Sequence, residues 1–380
     1  MDSNVKYHTW SKEISVMQKG ANDLDLIGLF FNALQTVYLL SYSEKKKQLF
    51  IAVYNVIKKD LSKFQPLCTA PEVIYSACVY KENEISSSWY LLGKNNVWEL
   101  ELMKPSLQLG KGELRKYLGL PLAEKHRERI FDGSTLVAFD QTPFIIGGKI
   151  INDNSGEIDT RARIMGGKRW AEHYYGAGSP ATATGGEYEG TYVNNFLIHP
   201  RVSPLVHFYD GKFICIGGNE KSPECIFEFF QARPYYYYIA KYSTCREDPY
   251  TYTYTTERSI IAYKKYNCLI RTDDPKPASC ISNNCIFIFS NQLFDKDNGL
   301  YFKFDFASGR SSGGGAGDWE FLLPEGFKPE DLFFTSAKAV CIGKDIYLVL
   351  FNKGDDHYLG EEAKMKTKTK TTKLSIFKII

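Results

Sequence analysis

Two stretches of the chain repeat one pattern of apolar and polar positions. Pro143-Phe144-Ile145-Ile146-Gly147-Gly148 and Lys212-Phe213-Ile214-Cys215-Ile216-Gly217-Gly218 are each an apolar run that ends on a glycine pair. Each follows another apolar run across a tight turn, residues 136–140 in the first case and 205–210 in the second. Short apolar runs bounded by turn residues predict strands, and two of them joined tightly predict a hairpin. Four further hairpins emerge when one or both glycines are allowed to be lost. They pair 26–31 with 37–40, 73–80 with 88–93, 278–281 with 285–289 across Ser282-Asn283-Asn284, and 337–342 with 345–350 across Gly343-Lys344.

With Leu40, Leu92, Ile146, Ile216, Phe289 and Leu350 as equivalent positions, the spacings are 52, 54, 70, 73 and 61 residues. A third strand is expected after each hairpin, at 49–56, 97–103, 160–165, 224–230 and 300–306, and a fourth is marked in places by Trp170 and Trp319. Four antiparallel strands recurring at roughly 40 to 50 residues predict the blades of a β-propeller. The last copy has its hairpin and a strand at 373–380 but no fourth, whereas residues 5–14 form an orphan strand whose Trp10 matches the fourth-strand tryptophan. Joining the two closes the ring and removes two sheet edges. The expectation is therefore all-β: one six-bladed domain over 1–380, closed by the N-terminal strand completing the last blade. Its blades are expected near 25–67, 72–107, 134–175, 204–275, 277–324 and 336–380, with insertions between blades at 108–133 and 176–203.

The order of strand, turn, strand with Gly-Gly, third strand and Trp-bearing fourth strand resembles the Kelch repeat, plant Kelch-type proteins in particular. The resemblance covers most of the chain and is carried by 136–170 and 205–230; the other four copies depart from it at the glycines. It implies a ring that serves as a platform and keeps its activity in loops. Residues 1–25 are too short for an F-box or BTB module, so a stand-alone ring is expected.

Composition sharpens this picture in three ways. Tyr 26 and Phe 25 against Met 5 favour strands. The net charge of +3, from 47 basic and 44 acidic residues, predicts no nucleic-acid partner. Nine cysteines, odd in number and scattered through apolar strands, predict reduced thiols that pack as small hydrophobes. With no Asn-x-Ser/Thr site, no apolar run of membrane-spanning length and a polar start, the expectation is a cytoplasmic protein, monomeric and without a membrane span.

Long inserts on one face predict a decorated rim around a central pocket. Residues 108–133 read as one or two short helices, with Leu114, Tyr117 and Leu118 spaced for a packed face. Arg161 and Arg163 alternate on a strand and can fork onto a carboxylate. Tyr250, Tyr252 and Tyr254, in a Thr-rich segment, offer rings to a flat ligand or partner, and residues 364–373 form a Lys/Thr run read as a solvated loop. Tyr235 to Tyr238 are read as packing between blades. His207, in the first strand of its blade, is the weak candidate for a catalytic acid or base. None of the six histidines follows the Glu-x-x-x-Asp-x-x-x-His iron pattern of plant nitrile-specifier proteins, and no Cys-x-x-Cys or His-Glu-x-x-His occurs, so no metal or other cofactor is expected. Two functions stand beside each other: a protein-interaction platform, or a small-molecule enzyme of specialised metabolism such as a cofactor-free isomerase, cyclase or lyase.

Overall fold

The computed structural model describes residues 10–19, 21, 23–32, 35–82, 86–94, 96–103, 113–119, 133–139, 142–151, 158–160, 164–166, 202–209, 212–218, 225–231, 260–266, 277–289, 301–305, 334–353 and 371–380. These residues are all-β, in antiparallel sheets without a helix. After β1 (Trp10–Lys19), the first sheet holds β2 (Leu24–Asn32), β3 (Thr36–Ser43), β4 (Gln48–Asn55) and β5 (Asp60–Leu61), with β6 (Gln65–Thr69) also on β4. The second runs β7 (Ile74–Glu82), β8 (Ser86–Gly93), β9 (Asn96–Met103), β10 (Glu113–Gly119). In the third, β11 (Ser134–Phe139) and β12 (Thr142–Gly147) precede the small hairpin of β13 (Lys149–Ile151) and β14 (Ile158–Thr160), and β15 (Ile164–Gly166) returns to pair with β12. The fourth sheet is β16 (Leu205–Tyr209), β17 (Lys212–Ile216), β18 (Cys225–Gln231) and β19 (Ile260–Tyr266), and the fifth is β20 (Ala278–Ser282), β21 (Cys285–Phe289) and β22 (Tyr301–Asp305). The last is β23 (Ser336–Ile342), β24 (Asp345–Lys353) and β25 (Thr371–Ile379), with β1 on its outer edge.

First strands pack against first strands. In order, β23 lies against β2, β2 against β7, β7 against β11, β11 against β16, β16 against β20, and β20 against β23 again. The core is consequently a series of layers between successive sheets. Phe287, Phe289, Leu348 and Phe377 fill the layer between the fifth and last sheets, and Leu39, Tyr54, Phe351 and Ile376 fill the one between the last and first. Strands buried on both faces explain why β3 and β21 are buried throughout and read as continuous apolar runs.

The pairing of β1 with β25 joins the N-terminal strand to the last sheet over Trp10–Lys19, past the expected end at 14, while residues 5–9 of the expected 5–14 lie outside the described residues. The expected strand stops too soon because Val16 and Met17, past a charged Lys12-Glu13, continue the ladder opposite Leu374 and Lys373. A bulge between Lys12 and Ile14 leaves Glu13 out of register. Its carboxylate takes Lys59 Nζ at 3.0 Å, Ser11 Oγ at 2.9 Å and the Tyr54 hydroxyl at 3.5 Å, pinning β1 to the first sheet. Burial alone raises the Glu13 pKa, but the bonds from Lys59 and Ser11 outweigh it and hold it below the ordinary 4.5. A lowered carboxylate pKa contributes stability above the unfolded value that is lost as pH falls through the folded one. Glu13→Gln is therefore expected to melt below wild type at pH 7, with the gap closing in melts at pH values under about 4; a gap constant into acid contradicts this.

Residues 108–133 hold no helix where they are described. Glu113–Gly119 is instead the outer strand of the second sheet, with Arg115 opposite Glu99 and Leu114 half-buried against the core. A bulge between Lys116 and Leu118 steps over Tyr117, so the three- and four-residue spacings that suggest a helix are those of a bulged strand. The expected strand at 160–165 is also divided, Thr160 ending β14 and Ile164 starting β15. Trp170, Trp319 and Tyr235 to Tyr238 lie outside the described residues.

The Gly-Gly signature has a local cause. Gly218 takes a φ of 77°, and a Cβ there would sit 2.5 Å from the Val202 carbonyl oxygen. Its own carbonyl accepts from Val202 N–H at 2.6 Å, tying the end of the β17 segment to the chain that enters β16. Only glycine fits both the left-handed backbone and the close approach.

Candidate functional site

The inner edges of the first strands carry the polar groups that a central site requires, and most are bonded between neighbouring sheets. Ser336 Oγ on β23 accepts from Leu26 N–H at 3.0 Å and donates back to the Leu26 carbonyl at 3.4 Å. Thr135 Oγ1 on β11 donates to the Pro204 carbonyl at 2.5 Å, and Ser282 Oγ on β20 to the Lys344 carbonyl at 3.5 Å. Each bond crosses from one sheet to the next and satisfies a backbone group of a strand, a turn or the segment leading into a strand.

His207 belongs to the same series. Its Nε2 lies 2.8 Å from Ser279 Oγ, linking β16 to β20. A serine hydroxyl bonded to an imidazole is also the start of a nucleophile and base pair. Its place among equivalent hydroxyl links at three other sheet junctions gives it a structural task. Replacing His207 with Ala is expected to cost about 1 kcal/mol in urea denaturation, and a fluorophosphonate is expected to leave Ser279 unmodified by mass spectrometry; a Ser279 adduct lost with His207 contradicts this.

A second polar group lies on β23 and β7, the strands flanking β2. Lys338 interrupts the apolar run of β23, with Ala337 and Ala339 packed toward the fifth sheet and Val340 and Ile342 toward the first. Burial holds its ammonium below the ordinary 10.5, with the Cys78 thiol opposing that shift. Burial pushes Cys78 up to about 12, against Lys338 and a backbone bond to Tyr90. The thiol therefore stays protonated at neutral pH and gives Lys338 no counter-charge. Ser76 Oγ, two residues before Cys78, is buried with no hydrogen-bond partner.

Arg161, Arg163, Tyr250, Tyr252 and Tyr254 lie outside the described residues, as do 364–370 of the Lys/Thr run, whose end enters β25. Sequence reasoning passed over Lys338, although a lysine inside Ser336-Ala337-Lys338-Ala339-Val340-Cys341-Ile342 is a visible break in an apolar strand. Cys68, Cys78, Cys215, Cys280, Cys285 and Cys341 are in no disulfide, the middle four sites ranging from partly to fully buried. Among the described residues no three His, Cys, Asp or Glu side chains converge as a metal site, and no helix is long and apolar enough to cross a membrane.

No family model matches the chain, and no curated protein matches it. Among solved structures, a luciferin-regenerating enzyme is similar over 96% of this chain and 95% of its own, at 10% identity and a TM-score of 0.46. Regucalcin, a calcium-binding protein from Agrobacterium tumefaciens strain C58, is similar over 95% and 94%, at 8% identity and 0.42. The β-xylosidase RS223 covers the same shares at 7% identity and 0.40.

Proposed function

We propose that the chain is a six-bladed, Kelch-type propeller that acts as a protein-interaction platform through its loop-rich face. The observation that carries this reading is the series of hydroxyl and imidazole links between successive sheets, which includes His207 and Ser279. Groups that hold sheets together make a rigid ring, and a rigid ring leaves recognition to the loops. The cyclic order in which β23, β2, β7, β11, β16 and β20 pack supports six blades.

The test compares the intact protein with a form whose residues 176–203 are replaced by a short Gly/Ser linker. The expected result is a protein partner recovered from an extract of the source organism by the intact form, confirmed by direct binding of the purified pair, and lost with the linker. Metabolite profiles of the extract are expected to stay unchanged on adding the protein. A metabolite consumed by wild type but not by His207→Ala overturns the platform in favour of the enzyme.

A further inference from the structure

Two neighbouring turns carry lysines that the described acids leave unmatched. Ser43 pairs with Gln48 at the end of β3, so Glu44-Lys45-Lys46-Lys47 is the turn into β4, and Lys94 follows Gly93 in the turn from β8 into β9. Each of these side chains is exposed. Turns from second to third strand share one end of the sheets with the link from β6 to β7, as the pairs Gln48 with Thr69 and Ile74 with Gly93 require. Hydrogen bonds fix the first turn. Ser43 Oγ accepts from Lys46 N–H at 3.0 Å and donates to Asp23 at 2.5 Å, and Lys47 N–H donates to the Glu44 carbonyl at 3.3 Å. Lys47 takes a φ of 49°, a left-handed conformation in which glycine or asparagine is the ordinary choice. Residues 70–73 tie the two turns together: Ala70 N–H donates to the Lys47 carbonyl at 2.8 Å, and Lys94 N–H to the Val73 carbonyl at 2.9 Å. That bridge holds the Lys47 carbonyl and the Lys94 nitrogen within roughly 20 Å of each other.

Nearby acids are spent elsewhere. Asp23 takes Lys46 at 3.8 Å, and Lys46 also lies over the Phe50 ring at 5.2 Å, so that cation is occupied. The Glu72 carboxylate accepts from Trp98 Nε1 at 2.6 Å and Asn96 Nδ2 at 3.0 Å, which commits it to the second sheet. Glu44 is the exposed acid of the first turn. Among the described residues no carboxylate forms an ion pair with Lys45, Lys47 or Lys94. Ammonium groups held near one another by an ordered backbone repel, and an anionic partner relieves that repulsion. What the turns lack narrows the partner. They hold no arginine for the bidentate fork that reads phosphate, and no aromatic ring on which a base stacks. Of the exposed large apolar side chains, Ile57 and Ile380 sit at the opposite end of the sheets and Met17 lies on β1, so neither turn offers one to a lipid layer. A carboxylate-rich protein segment, extended over about six residues at roughly 3.3 Å each, reaches from one turn to the other.

We propose that Lys45, Lys47 and Lys94 form a docking surface for an extended, acidic segment of a partner protein. The surface deepens the platform reading and rests on it. The probe is a fluorescein-labelled octaglutamate peptide, titrated by anisotropy at low salt. Wild type is expected to bind it saturably, and Lys47→Glu combined with Lys94→Glu to weaken binding about ten-fold. Lys58→Glu combined with Lys344→Glu makes the same change in net charge at the opposite end of the sheets and is expected to bind as wild type. Bound peptide is also expected to protect Lys45, Lys47 and Lys94 of wild type, but not Lys58, from acetylation read by mass spectrometry; where a charge reversal fails to fold, this protection decides alone. Equal weakening by both pairs of substitutions, or none by the first pair, overturns the surface. So does tighter binding of octathymidylate or of phosphatidylserine vesicles than of the peptide. The platform reading fails separately, when no protein partner is recovered; a recovered partner indifferent to the first pair removes this surface alone.

Discussion

Deletion of residues 1–20 is expected to abolish the cooperative thermal transition of the whole chain. β1 pairs with β25 along its length, so its loss opens the Thr371–Ile379 edge, and an exposed apolar edge is a template for aggregation. The deletion also strips two core layers. Trp10 packs edge-on to Phe289 at 5.9 Å and tilted against Phe377 at 6.2 Å, while Ile14 and Val16 cover the layer between the last and first sheets. Truncating one packed tryptophan costs about 3–5 kcal/mol when it is fully buried, and a half-buried Trp10 approaches the lower figure. Removing the whole strand competes with a total stability of roughly 5–15 kcal/mol. Circular dichroism melts and size-exclusion chromatography check this, and a synthetic peptide of residues 8–20 is expected to restore the transition by strand addition. A deletion variant melting like wild type contradicts the coupling of the two chain ends.

Trp89→Ala is expected to lower stability by about 3–5 kcal/mol. The indole is fully buried, meets Phe30 in a T-shaped contact at 5.7 Å and 78°, and donates to Ser87 Oγ at 3.1 Å. It also sets the size of its neighbour on β2, since a Cβ on Gly28 would stand 2.8 Å from Trp89 Cζ3 and cannot fit without movement. Gly28→Ala alone is expected to cost about 1–3 kcal/mol by overpacking. The double variant is expected to be more stable than the sum of the two losses implies, because the truncated indole vacates the space the new methyl needs. Urea denaturation of all four proteins closes the cycle, and strict additivity contradicts direct contact.

Much of the hairpin framework was legible in the residues. The six expected hairpins correspond to β2–β3, β7–β8, β11–β12, β16–β17, β20–β21 and β23–β24, because apolar runs bounded by turn residues state their period locally. Strand β10 was misread for an equally local reason: a bulge changes side-chain spacing from two to three, which mimics a helical face. For the candidate site, His207 was visible as a histidine on a first strand, but its bond to Ser279, 72 residues away, was not. Lys338 was visible only as an interruption of an apolar strand.

Strand character, turns and glycine positions follow from the sequence itself, since backbone sterics and alternating burial act over a few residues. The ladder from Trp10–Lys19 to Thr371–Ile379 and the Ser336 bond to Leu26 were decided by tertiary structure. Those contacts join residues hundreds of positions apart, and which sheet packs against which is selected by burying whole faces together. A single strand carries the face but not the identity of its neighbour.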